Sequence, residues 1–168
     1  HLKLTAKTAT FILSGIVLDT TNFVVKTDTE TYQAAYYLAK QGANPKKVQY
    51  FLKQDIKDYI IRQKVITEAK VINDKYSLSV ASEKVKYKRE ELAKIADTLL
   101  QFNNIEASFV LGNRVDGGVG LSARSEGTVN VGEIAEHLGG GGDDHDAAAQ
   151  IKNMELQEVA KELINLLD

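Results

Sequence analysis

The stretch that decides the fold is Gly112-Asn-Arg-Val-Asp-Gly-Gly-Val-Gly-Leu-Ser-Ala-Arg124. Its second half alternates strictly between two kinds of residue, as a strand buried on one side does. The turn around Asp116-Gly117-Gly118 joins this strand to an apolar one over 107–111. One face of the strand is apolar and the other is small, hydroxylic and cationic: Val119, Leu121 and Ala123 against Gly120, Ser122 and Arg124. The stretch therefore predicts two antiparallel strands of a sheet with one face toward a core.

The second face of this strand suits an anion. A guanidinium recognises a phosphate or carboxylate through paired hydrogen bonds, so Arg124 with Ser122 beside it is a candidate binding element. The alternative is an ordinary surface arginine on a half-exposed strand. Glycine density separates the two interpretations: ten of the twelve glycines lie between Gly112 and Gly142, and strand glycines allow the close approach of a ligand or another chain.

Outward from this stretch, apolar spacing predicts alternating helices and strands. Asn44-Pro45 and Asn130 are typical helix starts, Gly42 is typical of a helix end, and Gln54-Asp55 is the expected break in a long helical segment. The predicted helices are 8–18, 30–40, 45–66 with that break, 88–102, 130–138 and 154–167, and the predicted strands are 70–72, 76–80, 107–111, 119–123 and 147–151.

The chain thus changes character from helical to mixed α/β. We place the domain boundary near residue 57 and expect domains over 1–56 and 57–168, the second with a mixed sheet flanked by helices. We expect helices 88–102 and 154–167 to pack on the sheet, and helix 8–18, apolar on most sides, to be buried. The stretch His1 to Lys7 has no N-cap pattern, which predicts a piece of a longer protein.

Composition excludes several classes of protein. The 168 residues carry a net charge of −2, whereas proteins that bind nucleic acid mainly through phosphates are strongly basic. The chain contains no cysteine, so it has no disulfide partner and no thiol chemistry. The apolar run from Phe11 to Leu18 is about ten residues short of a membrane span.

The run from Gly139 to Gly142 is a second candidate binding element. Consecutive glycines can turn successive N–H groups toward one anion, although a flexible loop after a helix is the alternative. The carboxylates of Asp143, Asp144 and Asp146 would repel a phosphate unless a cation lies between them. With His145 they could form a divalent-metal cluster, or simply a solvated acidic loop.

Asp19 ends the apolar run Gly15-Ile-Val-Leu, which places it at the rim of a buried segment. It is either a turn or capping aspartate or a metal ligand, and a metal site would need partners from elsewhere in the chain.

Taken together, these segments resemble the DHH/DHHA1 phosphoesterases, and most closely their cyclic-di-AMP phosphodiesterase branch. The resemblance spans roughly residues 8–165 and is carried by Gly15–Phe23, Arg114–Gly117, Ser122–Ser125, Val129–Val131 and Gly139–Gly142 followed by Ala147-Ala148. It implies that residues 1–56 end a DHH domain and that 57–168 form a substrate-binding DHHA1 domain. Members of this branch use two manganese ions and carry membrane-anchoring segments ahead of the DHH domain.

By this resemblance, Asp19 matches a metal-binding aspartate. Arg124 and the glycines Gly139, Gly140, Gly141 and Gly142 match substrate-binding elements, with Arg114, Ser122 and His145 as further candidates. The chain departs from the family pattern at Asp143, where a histidine is usual; His145 follows two residues later. No catalytic residue is assigned, because the remaining metal ligands, the Asp-His-His motif included, are absent.

The resemblance implies the nucleotide-binding portion of a manganese-dependent cyclic-di-AMP phosphodiesterase, inactive alone and cytoplasmic in a membrane-anchored parent. Its expected partners are a cyclic dinucleotide or short nucleotide, the remainder of its DHH domain and, alternatively, a second copy of the chain. The alternative functions are a non-catalytic nucleotide- or RNA-binding module and a phosphoesterase for short oligonucleotides or phosphoadenosine phosphate.

Overall fold

A computed structural model describes residues 3–168 of the chain. It divides into two compact units, the first ending at Asp55 and the second running Ile56–Asp168. Within residues 3–168, no helix is both long enough and apolar enough to cross a membrane.

The first unit consists of α1 (Ala6–Asp19), α2 (Thr29–Lys40) and α3 (Pro45–Phe51). Each begins at a polar cap whose side-chain oxygen accepts a backbone N–H of the first turn: Thr5, Asp28 and Asn44. The prediction that Asn44-Pro45 starts a helix is confirmed, and Gly42 ends the preceding one with a φ of +85°. The expectation of no N-cap before the first helix is wrong, because Thr5 supplies one; His1 lies outside the described residues.

The expected burial of α1 is not found within the described chain. Its buried residues are the small ones, Ala9, Thr10 and Ser14, and the Thr10 hydroxyl accepts the Asn44 N–H at 3.0 Å, which ties α1 to the start of α3. The large apolar side chains of Phe11 and Leu18 are exposed.

The second unit is a seven-stranded mixed sheet with helices on both faces. Its elements are α4 (Ile56–Thr67), β1 (Lys70–Ile72), β2 (Tyr76–Val80), β3 (Lys86–Tyr87), α5 (Arg89–Leu99), β4 (Ala107–Arg114), β5 (Val119–Ser125), α6 (Val131–His137), β6 (Gly141–Gly142), β7 (Asp146–Ile151) and α7 (Leu156–Leu167). The strand order is β1-β2-β4-β5-β7-β6, and β3 pairs with β4. The central β4 and β5 are antiparallel, as the turn at Asp116-Gly117-Gly118 predicts.

Two apolar clusters cover the two faces of this sheet. On one face α6 and α7 pack on Phe109, Leu111 and Leu121. On the other, α5 packs on Val110 through a set of fully buried apolar side chains, Leu92, Ile95, Ala96 and Leu99. Each Leu or Ile buried in this way contributes about 1.5–3 kcal/mol relative to exposure, so these clusters fix the helices on the sheet.

The fold class is confirmed, since the structure is mixed α/β. Both predicted helices pack on the sheet, α5 through Leu92, Ile95 and Leu99 and α7 through Leu156, Val159 and Leu163. The expected break at Gln54-Asp55 is also present, between α3 and α4. The short β3 is not predicted from the sequence, and β4 runs three residues beyond the predicted Leu111.

Candidate functional site

Arg124, near the end of β5, is held by two carboxylates. Its Nε lies 2.6 Å from Asp97 Oδ1 and 2.7 Å from Asp146 Oδ1, and its Nη1 donates to the Ala123 carbonyl at 2.8 Å. The strand register explains one contact, since Arg124 is directly opposite Asp146 of β7. The side chain is 18% exposed, so part of it still reaches solvent.

Ser122 does not accompany Arg124 at the surface. It pairs in register with Val110, which packs against α5, and it is buried. The prediction that the polar face of β5 is open is therefore wrong at Ser122, because α5 covers it.

The packing of α5 also explains the glycines in β4 and β5. A Cβ at Gly120 would lie 2.9 Å from Leu92 Cδ1, and one at Gly112 would lie 3.0 Å from Leu92 Cδ2. These glycines admit a helix rather than a ligand. The density of glycines predicts that something approaches these strands closely. What approaches them is α5 of the same chain, not a ligand or another chain.

Arg114 lies at the opposite end of the same face. Its Nε and Nη2 donate to both oxygens of Asp116, at 2.8 and 2.6 Å, and this pairing lowers the pKa of the Asp116 carboxyl. The Arg114 side chain covers Gly120, four residues from Arg124, or about 13 Å along a strand. The structure thus does not bring Arg114 and Arg124 together.

The glycine run is only partly available to an anion. Gly139 and Gly140 donate their N–H groups back to carbonyls of α6, at 2.9 and 2.8 Å. Gly141 and Gly142 form β6, which pairs with β7. Since β7 lies between β6 and β5, the glycines lie about 10 Å from the strand of Arg124. A four-glycine cradle for one anion is therefore not what the structure contains.

Asp143 organises the connection from β6 to β7. One of its oxygens, Oδ1, accepts the backbone N–H groups of His145 and Asp146, each at 2.8 Å. These two bonds lower the pKa of the Asp143 carboxyl below its ordinary value of 3.8. The aspartate at the position where the family usually has histidine is therefore a turn residue here.

His145 is exposed and its ring packs against the backbone of Gly127. A Cβ at Gly127 would lie 2.7 Å from the ring atom Cε1, and Nδ1 lies 3.3 Å from the Ser125 carbonyl oxygen. Its Nε2 is 3.9 Å from Asp144 Oδ1. His145 and Asp146 thus both contact the end of β5 or the residues after it, His145 at Ser125 and Gly127 and Asp146 at Arg124.

Asp19 belongs to the first unit and is the last residue of α1. Its carboxylate is 73% exposed and lies 3.6 Å from Lys26 Nζ. Over residues 3–168, no group of three or more His, Cys, Asp or Glu side chains is placed to hold a metal ion. A two-manganese centre therefore does not fit the described residues. Of the two alternatives for Asp143, Asp144, His145 and Asp146, this favours the solvated acidic loop over the metal cluster.

A cavity of about 660 Å³ opens elsewhere in the second unit. Its lining includes Lys64 and Val65 of α4, Glu83 and Tyr87 from the segment after β2, and Gln157 of α7. None of the candidate site residues lines it, so we keep the candidate site at Arg124.

The sequence profile of the DHHA1 domain matches residues 73–168, which is more than half of the chain. The chain belongs to the DHHA1 domain family. The resemblance inferred from the motifs is thereby confirmed, and the DHHA1 match covers the part of the chain that contains Arg124.

Two curated relatives with similar sequences are described as cyclic-di-AMP phosphodiesterases. PdeA of Listeria monocytogenes serotype 1/2a (strain 10403S) is 40% identical over 160 residues, which cover 95% of this chain and 24% of that protein. GdpP of Geobacillus thermodenitrificans (strain NG80-2) is 40% identical over 163 residues, 97% of this chain and 25% of that protein. The chain spans about a quarter of the length of these relatives.

Among solved structures, an exopolyphosphatase-related protein from Bacteroides fragilis superimposes with a TM-score of 0.76. The match covers 96% of this chain and 51% of that one at 17% sequence identity. At that identity the likeness concerns the fold alone.

Sequence reasoning missed Asp97 and Asp146 as partners of Arg124 in this DHHA1 chain. Asp97 lies 27 residues before Arg124, and only the packing of α5 on β4 and β5 joins them. Asp146 could have been found from the sequence, because pairing the predicted strands 119–123 and 147–151 in antiparallel register brings the residues at their ends together.

Proposed function

We propose that this chain is the nucleotide-binding C-terminal portion of a phosphodiesterase that hydrolyses cyclic-di-AMP. The observation that supports it most is the 40% identity over 95% of the chain with a protein described as a cyclic-di-AMP phosphodiesterase. Arg124 adds a chemical reason, because a guanidinium on a partly exposed side chain is suited to one of the two phosphates of a cyclic dinucleotide.

On this proposal the parent protein carries the catalytic metal. Asp19 would contribute one carboxylate to a manganese site whose other ligands come from outside these 168 residues, and the remainder of a DHH domain would cover the exposed apolar side chains of α1. The parent would be anchored in the bacterial membrane by segments outside this chain.

The test is calorimetric titration of the 168-residue chain with cyclic-di-AMP at low ionic strength. We expect saturable binding that Arg124→Ala weakens by roughly ten- to a hundredfold, since a charge-assisted contact is worth about 1.5–3 kcal/mol. Arg114→Ala is the matched control, because that guanidinium is already satisfied by both oxygens of Asp116.

Equal losses in the Arg124 and Arg114 variants would place the ligand elsewhere. If the chain binds single-stranded RNA more tightly than the dinucleotide, the alternative of a non-catalytic nucleic-acid-binding module is favoured. If it binds phosphoadenosine phosphate more tightly, the alternative of a phosphoesterase for short oligonucleotides or phosphoadenosine phosphate is favoured.

A further inference from the structure

Two carboxylates share one donor at Arg124. The Nε carries a single hydrogen, which it donates to Asp97 at 2.6 Å, while Asp146 lies 2.7 Å from the same nitrogen. The three side chains sum to a charge of −1, and the Asp143 carboxylate is near enough for Arg124 to lower its pKa. A phosphate that approaches this guanidinium therefore meets excess negative charge.

The packing of α5 on the sheet fixes the position of Asp97. The Ser108 hydroxyl, buried on β4 directly opposite Arg124, donates to the Ala96 carbonyl at 2.7 Å. This bond and the buried Ala96 and Leu99 hold the last turn of α5 against the sheet. The Asp97 side chain is 51% exposed, so this packing fixes the backbone position of Asp97, and the Nε hydrogen bond fixes its carboxylate. The helix cannot withdraw Asp97 from Arg124 without opening the core.

Asp146 has a different setting. It is the first residue of β7 and follows an exposed loop, and its side chain is 66% exposed. Its backbone N–H donates to Asp143, whereas its carboxylate, on a mostly exposed side chain, can rotate toward solvent. An ion pair with this exposure is worth up to about 1 kcal/mol, so a phosphate can displace it.

We propose that the two carboxylates have opposite roles in ligand binding. Asp97 is a positioning residue that holds the guanidinium through Nε. It leaves Nη2 and the second hydrogen of Nη1 for a ligand, since the first hydrogen of Nη1 is donated to the Ala123 carbonyl. Asp146 is an internal competitor that occupies Arg124 until a nucleotide phosphate replaces it. This inference rests on the proposed function, and it adds a self-competition that lowers the apparent affinity of the site.

The test compares Asp97→Asn with Asp146→Asn in the 168-residue chain, titrated calorimetrically with cyclic-di-AMP at fixed ionic strength. Each variant removes one negative charge at nearly constant volume, so simple repulsion would make both bind more tightly. We expect Asp146→Asn to bind about two- to fivefold more tightly. Asp97→Asn keeps an oxygen that accepts from Nε but replaces a charge-assisted hydrogen bond by a neutral one of about half the strength, so we expect it to bind roughly three- to tenfold more weakly. Thermal melts of both variants check that the fold is kept.

Tighter binding in both variants would overturn the positioning role of Asp97, and weaker binding by Asp146→Asn would overturn the competitor role. No change in either variant would overturn both roles. If cyclic-di-AMP binds none of the proteins, the proposed substrate is wrong.

In that case inorganic pyrophosphate serves as the probe, read through the Arg124 Nε–H signal by NMR. The same opposite signs are expected with pyrophosphate. If pyrophosphate leaves the Arg124 Nε–H signal unchanged in the wild-type chain and in both variants, the proposed replacement of Asp146 by a phosphate is wrong.

Discussion

Two arginines of this chain look alike in sequence and differ in what they can still bind. Arg114 donates from both Nε and Nη2 to a single carboxylate, Asp116, which uses the edge that a phosphate would need. Arg124 meets the carboxylates of Asp97 and Asp146 at Nε and donates from Nη1 to the Ala123 carbonyl. The difference lies in which nitrogen each partner takes, and it makes Arg124 the better candidate for a ligand.

The ionised carboxyl of Asp143 makes the stability of the folded chain depend on pH. Because its charged form accepts two backbone N–H bonds, its pKa in the folded chain lies below 3.8. A carboxyl whose pKa is lowered on folding stabilises the folded chain at higher pH, and this stabilisation is lost as the pH falls through the folded pKa. We expect NMR titration to give a pKa below 3.8 for Asp143, with the amide signals of His145 and Asp146 shifting in the same step.

Asp143→Asn is the control for this titration, because an amide oxygen accepts the same bonds without titrating. The two amide signals should then stay constant through that pH range. A wild-type pKa at or above 3.8 would contradict the turn described here. Asp143→His, which restores the usual family residue, removes the acceptor of both bonds and so is expected to disturb this turn.

At the scale of elements, the glycine run is a packing feature of β6 and α6. A Cβ at Gly140 would clash with the Ala148 carbonyl oxygen, which is backbone and cannot rotate away, whereas a Cβ at Gly141 meets nothing within 4 Å. We expect Gly140→Ala to destabilise the chain by about 1–3 kcal/mol. Gly141→Ala, its neighbour in the same run, should change the free energy of unfolding by less than about 0.5 kcal/mol.

Urea unfolding of the two variants measures this difference. Equal losses of stability would mean that β6 does not pack on β7 as described. A loss of nucleotide affinity in Gly141→Ala without a loss of stability would return the glycine run to the binding site.

Most elements follow from local pattern, and the exceptions have physical causes. Asn44-Pro45 and Asn130 predict helix starts because capping is a local hydrogen bond. β3 is two residues long and exists only through its pairing with β4, so no local signal marks it. The role of the strand glycines also escapes the sequence, because Leu92 comes against them only once α5 has packed.

The site was predictable in part for the same reason. Arg124 stands out by its alternation with apolar residues, but its partners are set by tertiary packing and strand pairing. Burial of Ser122 likewise depends on α5 lying over it. The sequence predicts a role that follows from one residue type, such as an arginine that can bind an anion. It does not predict a role that depends on which residues pack together in the folded chain.

For the whole molecule, we expect the 168-residue chain to give no turnover of cyclic-di-AMP when manganese is supplied. Two-metal catalysis needs both ions held together to clamp the attacking and leaving oxygens. Asp19 is paired with Lys26, and residues 3–168 place no group of three or more suitable side chains around a metal. The measurement is chromatography of the nucleotide after incubation, with Asp19→Ala prepared in parallel. Equal trace hydrolysis in both proteins identifies a contaminant, whereas turnover that disappears only in Asp19→Ala would mean that the chain assembles a working metal site.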